Sequence, residues 1–260
     1  MAEPHCNFGL DMTIHPSPMG FSYGEEVIGP VPEIRKLDQI RASLRDPTCD
    51  GPEDVYAIAM DVARLRDRDE LKKRMLLFGV VTYARGRLGD EPIRSQGHIH
   101  RISGHSGWSP PELYEVWQGK AIIYMQEFVA DDPGRCFAVC AGPGEKVLVP
   151  PGWAHATISA SPDEPLTFGA WCDREYGFEY DAVRAMKGLA WYPLLQEEHI
   201  AWQHNRRYMP GRLQVTSPRI YSEFGITDEP LYQQFIDDPA RFQFISKPGM
   251  AAQKWMNFHP

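Results

Sequence analysis

Short apolar segments, each cut off by proline or glycine, constrain this chain more than any other feature. Seven of them fall between residues 55 and 171: 55–63, 76–83, 113–126, 135–140, 146–149, 155–159 and 166–171. With 23 prolines and 22 glycines supplying the turns, that spacing predicts an antiparallel sandwich or barrel. Residues 64–73 read as a charged connection with a solvated helical turn. Before the strands, Ile34, Leu37, Ile40 and Leu44 recur at helical spacing after Pro32, which predicts a helix over 31–44. A loop over 46–52 follows, and a short helix is expected over 181–189. The stretch 212–260 carries five prolines and is too broken to build its own core. We therefore expect an N-terminal extension (1–53), a barrel (54–192) and a C-terminal extension (193–260) wrapped on the barrel or on a partner subunit.

Charge and cysteine usage narrow the function classes. Twenty-seven basic against 35 acidic residues leave a net charge of −8, which argues against nucleic-acid binding. No apolar run approaches ~18 residues, so no membrane helix is expected. Glu3, His5 and Asp11 near the start do not resemble a secretory leader. Five scattered cysteines (6, 49, 136, 140 and 172) read as free thiols of a reducing, cytoplasmic setting. His199 and His204, Glu197 with Glu198, and Arg206 with Arg207 read as a solvated face. Cys136 and Cys140 read as core or edge thiols.

The chemistry concentrates in Ser95-Gln96-Gly97-His98-Ile99-His100. In an extended segment His98 and His100 share a face. Alone, such a pair also arises by chance, with one residue in a turn and the other on the surface. Two further segments add to it. Period two places Glu112, Tyr114 and Val116 on one strand face, with Leu113, Glu115 and Trp117 on the other. His155 follows the Pro150-Pro151-Gly152 turn. Three imidazoles and a carboxylate suit Fe(II), Mn(II), Ni(II) or Zn(II), not a soft thiolate-loving metal.

These residues carry a resemblance. Gly144, Pro150, Gly152 and His155 match the second cupin motif. His98-x-His100 with Glu112 and Gly119 matches the first, with a longer gap between His100 and Glu112. The Ser95–His100 block, Glu112-x-Tyr114 and Pro150-Pro-x-Trp-Ala-His155 resemble, more narrowly, the cupin-type (archaeal-type) glucose-6-phosphate isomerases, over roughly residues 21–206. That resemblance implies a mainly β cupin barrel, a double-stranded β-helix or jelly roll. It implies metal ligands at His98, His100, Glu112 and His155, and one divalent transition metal per subunit, Fe(II) before Mn(II), Zn(II) or Ni(II). Tyr56, Ser95, Gly97, Tyr114 and Tyr180 would form the sugar-phosphate site of a cytoplasmic homodimer. The Ser95 hydroxyl and the Gly97 N–H would meet phosphate oxygens; Arg85, Arg87 and Arg94 lie nearby and could add charge, at least two of them reading as solvated loop arginines.

Three departures qualify the match. Val81 stands where the family has a threonine, with Thr82 on the opposite face. Phe178 stands where it has a histidine. An insertion at 101–111 forms either a lid or a plain loop, and its His105 is the candidate to replace the lost histidine.

The reaction implied is aldose-ketose isomerisation, glucose 6-phosphate to fructose 6-phosphate. Glu112 acts either as base, or beside a hydride shift organised by the metal. The metal would polarise the carbonyl side. Tyr114 would donate to a hydroxyl or pack in the barrel. Rival readings are isomerisation of another sugar or sugar phosphate, a cupin Fe(II) dioxygenase, and a non-catalytic sugar-binding cupin.

Overall fold

A computed structural model describes residues 8–197 and 199–260; Glu3, His5, Cys6 and Glu198 lie outside them. Two sheets face one another, as alternation within the apolar segments predicts. In the larger, Lys146–Val149, Glu112–Gln118, Thr167–Asp173, Leu76–Tyr83, Asp54–Met60 and Glu33–Lys36 lie side by side in that order, each pair antiparallel. In the smaller, Ala154–Ser159, Ala121–Gln126 and Cys136–Ala141 are antiparallel, and Leu213–Thr216 joins parallel to the last. Tight turning between Glu112–Gln118 and Ala121–Gln126 rests on Gly119, at φ +77°. A Cβ there would sit 2.6 Å from the Pro165 carbonyl oxygen, so only glycine fits without rearrangement.

Residues opposed across neighbouring strands share a face, and the register therefore sorts the side chains into layers. One face of the large sheet sends Tyr56, Val81, Tyr83, Tyr114, Val116, Phe168 and Ala170 inward, where they meet Ile123, Met125, Phe137 and Val139 of the small sheet. The other face presents Phe78, Val80, Leu113, Trp117 and Trp171 to a second apolar layer. That layer is completed by Leu10, Met12 and Ile14 from the N-terminal hairpin and by Tyr221, Leu231, Tyr232, Phe235, Phe242 and Phe258. Trp171 is the hinge of this packing, within 5.7 Å of Tyr232, 4.9 Å of Phe235 and 5.0 Å of Phe242, ring centre to ring centre. On the same outer face a buried ion pair joins Glu115 to Lys146 at 3.3 Å. The Lys146 ammonium also donates to the Asp228 carbonyl, and the Leu231 N–H donates to Glu115. The C-terminal stretch is thereby hydrogen-bonded to the barrel as well as packed on it.

Two expectations about local structure need correction. The helix expected over 31–44 is a strand, Glu33–Lys36, followed by a single helical turn, Leu37–Ile40, and a 3-10 turn, Arg41–Ser43. Leu37, Ile40 and Leu44 are buried as helical spacing requires. Ahead of them, the open edge of Asp54–Met60 offers backbone partners that outweigh local helix preference. The helix expected over 181–189 spans Asp181–Ala185. The next aromatic-rich stretch, which showed no clear period, is an antiparallel hairpin of Trp191–Gln196 and His199–His204.

Replacing Trp171 by alanine should empty the centre of the outer layer. We expect a loss of about 3–5 kcal/mol of unfolding free energy, measured by denaturant titration, with the barrel and the C-terminal stretch unfolding in one transition.

Candidate metal centre

Backbone pairing brings the histidines together. The His98 N–H donates to the His155 carbonyl at 3.0 Å, and the His155 N–H returns the bond at 2.9 Å. This bridge sets the segment before Ile99–His100 antiparallel to Ala154–Ser159 and holds the two rings 4.3 Å apart between centroids. His100, two residues on, points the same way, 5.0 Å from the His155 ring. Glu112 opens its strand beside Val149. One ligand-capable atom from each of His98, His100, Glu112 and His155 falls within 4.8 Å of every other. These are the four residues that the sequence pattern singled out.

The hydrogen bonds around the cluster leave the right atoms free. His100 Nδ1 lies 2.9 Å from the Pro110 carbonyl oxygen, and His155 Nδ1 lies 3.1 Å from that of Trp153. A carbonyl only accepts, so each Nδ1 carries the proton and each Nε2 keeps its lone pair. Nε2 of His98 and of His100 are buried without a hydrogen-bond partner. Two orphaned imidazole nitrogens facing an anionic carboxylate are costly in a protein interior and fit a bound cation. Glu112 Oε2 lies 3.1 Å from His155 Nε2 and 3.3 Å from His100 Nε2.

Burial and the Glu112 charge set the electrostatics of the cluster. Burial pushes the His98 imidazole well below the usual histidine range, so it stays neutral and able to ligate. Burial works against the Glu112 carboxylate, but the adjoining His100 and His155 imidazoles outweigh it and hold the group well below the carboxylate range. For His100 the order is reversed: burial lowers it, and the adjacent Glu112 raises it further than that. The Tyr114 hydroxyl donates to Glu112 Oε2 at 2.6 Å. Burial, and then the Glu112 charge, push this phenol well up, which keeps it a donor. The Cys172 thiol donates to Glu112 Oε1 at 3.1 Å.

His98 and Glu112 also line a cavity inside the barrel, walled by Tyr56, Val81, Tyr83, Ser95, Gln96, Tyr114, Thr157, Phe168, Phe178 and Tyr180. Four of the five expected sugar-phosphate residues, Tyr56, Ser95, Tyr114 and Tyr180, therefore share one space. Gly97 does not line it. At φ +86°, Gly97 has room only because it lacks a Cβ, which would approach Leu189 to 2.9 Å. Its absent side chain serves packing in the layer outside the small sheet. Ser95 Oγ is engaged, accepting from the Thr157 N–H at 3.1 Å. Val81 faces the cavity, whereas Thr82 turns outward to bond Thr167 at 2.9 Å.

The arginines expected near this segment do not reach the cavity. Arg94 is buried in an ion pair with Glu91 at 2.7 Å and donates to the Ser43 carbonyl. Arg85 and Arg87 are exposed. His105 does not replace the lost histidine: its Nε2 lies 2.7 Å from the Ser246 carbonyl and its backbone N–H donates to Glu175. The insertion around it is tied to the C-terminal stretch, with Trp108 against Gly249. Phe178 holds its place on the wall, 4.5 Å from the His98 ring. Two residues escaped sequence reasoning. Cys172 carried no motif. Arg35, which lines the cavity, lay inside the segment read as helix.

A barrel of this construction with a His/His/Glu/His set, three of the four buried and His98 half-buried, is that of a metal-associated cupin enzyme. Residues 41–211, about two thirds of the chain, match the family model described as glucose-6-phosphate isomerase (GPI), and the chain belongs to that family, in its archaeal cupin type. It is 26% identical over 155 residues to the glucose-6-phosphate isomerase of Thermococcus kodakarensis, covering 60% of this chain and 71% of that one. It is 30% identical over 137 residues to that of Thermococcus litoralis (53% and 62%). It is 25% identical over 114 residues to the putative glucose-6-phosphate isomerase 1 of Rhizobium meliloti (44% and 49%). These matches thus span between about half and somewhat over two thirds of the relatives' own lengths.

Tyr114→Phe should keep the fold and weaken metal affinity about 10-fold, because the ligating carboxylate loses its orienting donor; competition against a chelator of known affinity reads this. Gly97→Ala should cost about 1–3 kcal/mol of stability through backbone strain and contact with Leu189, seen as a lowered Tm.

Proposed function

We propose that this chain is a metal-dependent aldose-ketose isomerase, with glucose 6-phosphate and fructose 6-phosphate as its first-choice pair. One observation carries the reading: in a chain of this family, the four-donor cluster opens into a cavity rich in hydroxyl groups. His98, His100, Glu112 and His155 would hold one divalent transition metal, Fe(II) before Mn(II), Zn(II) or Ni(II). When bound, such a metal polarises the sugar's carbonyl oxygen and fixes its hydroxyls.

The chain's own residues do the rest. The walls exclude water, with Val81, Phe168 and Phe178 against the open-chain sugar. Tyr56, Ser95 and Tyr180 offer hydroxyls to the sugar phosphate, whose remote binding orients C1 and C2. Glu112 takes the proton from one carbon and returns it to the other through an enediol. Its Oε1 faces only the weak donor Cys172, which leaves that oxygen the freer of the two. Tyr114 steadies Oε2. A second route has hydride pass directly between C1 and C2, with Glu112 never accepting the carbon-bound proton. It is favoured by the imidazoles and phenol that already surround Oε2. As in its named relatives, we read the substrate as phosphorylated. The enzyme is read as a cytoplasmic homodimer. Among the described residues no helix is long and apolar enough to cross a membrane.

A coupled assay of fructose 6-phosphate conversion should show no turnover after metal stripping and recovery on reloading, with Fe(II) highest. Glu112→Gln should lower kcat by at least about 100-fold. Folded, metal-loaded protein that is inactive with every metal would sink the isomerase reading and leave a binding role. Running the reaction in D2O tests the first route. Deuterium at C1 or C2 of the product marks a carbon-bound proton that exchanged on a base during transfer, which a direct hydride shift cannot give.

A further inference from the structure

The cavity contains two nitrogen donors without a hydrogen-bond partner among the described residues. Arg35 opposes Tyr56 across the edge of the large sheet, and Tyr56 opposes Tyr83, so the three side chains stand in a row on the cavity wall. The Arg35 side chain is only 15% exposed, and its Nε is buried without a hydrogen-bond partner. Its Nη2 donates to Glu33 at 2.8 Å, but Glu33 is 63% exposed, so this neutralising carboxylate sits at the solvent side. The second donor is Gln96. Its Oε1 accepts from Arg184 Nε at 3.0 Å, which fixes the amide orientation and leaves Nε2 buried and unpaired. Among the described residues lining the cavity, Arg35 is the one lysine or arginine.

Leaving a guanidinium N–H and an amide N–H unpaired in a cavity is costly unless a ligand completes them. A planar guanidinium presents a fork that matches the oxygens of a phosphate monoester. Val81 has no hydroxyl to offer, Gly97 lies outside the cavity, and the Ser95 and tyrosine hydroxyls carry no charge, so the positive charge must come from elsewhere. We propose that Arg35 is the residue that selects a phosphorylated substrate, gripping its dianionic phosphate through Nε and Nη2, with Gln96 Nε2 as a second donor. This rests on the isomerase reading for the rest of the substrate, but the phosphate grip itself can be measured without turnover.

The test is calorimetric binding of inorganic phosphate, fructose 6-phosphate and fructose to metal-loaded wild type, Arg35→Gln, Arg35→Lys and Gln96→Met. Metal content and Tm are read on each protein. We expect Arg35→Gln to weaken both phosphate-bearing ligands by about 30-fold or more. Metal stoichiometry and the response to fructose should not change. Arg35→Lys should recover part of the loss, since it returns the charge without the fork. Gln96→Met should lose about 10-fold or more, the worth of one hydrogen bond to a charged partner. Folded, metal-loaded Arg35→Gln that binds fructose 6-phosphate within about threefold of wild type would overturn the proposal, and so would a wild type that binds neither phosphate probe. Arg35-dependent phosphate binding without isomerisation would uphold the grip while the isomerase reading fails. Turnover with the same KM in wild type and Arg35→Gln would do the reverse.

Discussion

Three imidazoles and a carboxylate occupy one desolvated space, and much of the fold's construction serves to make that tolerable. A buried carboxylate is stable only if its charge is answered. Here His100, His155, Tyr114 and Cys172 all approach Glu112, and backbone carbonyls of Pro110 and Trp153 hold two rings in the tautomer that leaves Nε2 exposed to the cluster. The His98–His155 backbone bridge belongs to the same economy: two hydrogen bonds that any pair of residues can make place two side chains whose chemistry then matters. Because the four groups come from three segments distant in sequence, neither sheet alone contains the site. Closing the barrel assembles it.

The outer layer explains how a barrel with such a polar interior stays closed. The space between the sheets holds tyrosines, histidines and a cavity beside its apolar core, and a second apolar layer closes over the other face of the large sheet. There Trp171, Phe78 and Trp117 meet aromatic residues of both chain ends. The alternation of a strand thus serves two needs at once: in Glu112–Gln118 the even positions build the site and the odd positions, Leu113, Glu115 and Trp117, anchor the C-terminal stretch.

Legibility in the sequence follows the same division. Period two is a local rule, and it was enough to place the strands, to put Glu112 and Tyr114 on one face, and to pair His98 with His100. The turn glycines and prolines marked where those strands stop. Residues 33–36 failed because the information was not local: Ile34, Leu37, Ile40 and Leu44 fit a helix, and only an unpaired edge far along the chain turns the first of them into strand. Arg35 was lost with it, since a charged residue in an amphipathic helix reads as solvated. Gly97 is a related case: a glycine beside a hydroxyl suggests an anion site, while the contact its missing Cβ makes room for, with Leu189, lies nearly a hundred residues on. His105 looked available as an imidazole until the C-terminal stretch engaged it.

Net charge sets the final constraint on recognition. At −8 the surface field does not draw anions inward, and beyond a Debye length of about 8 Å such a field is screened in any case. On the function proposed above, selection between a phosphorylated and a free sugar is made at contact distance. A solvated arginine does this poorly, because water competes for every donor. An arginine whose side chain is only 15% exposed, with its Nε buried, largely loses that competitor and gains from a lower effective dielectric. Glu33 at the rim resists the cost of keeping the cation buried, yet leaves Nε unspent. An edge strand is the natural place for such a residue: its backbone is anchored on one side by Asp54–Met60, while its side chain reaches both the solvent and the interior.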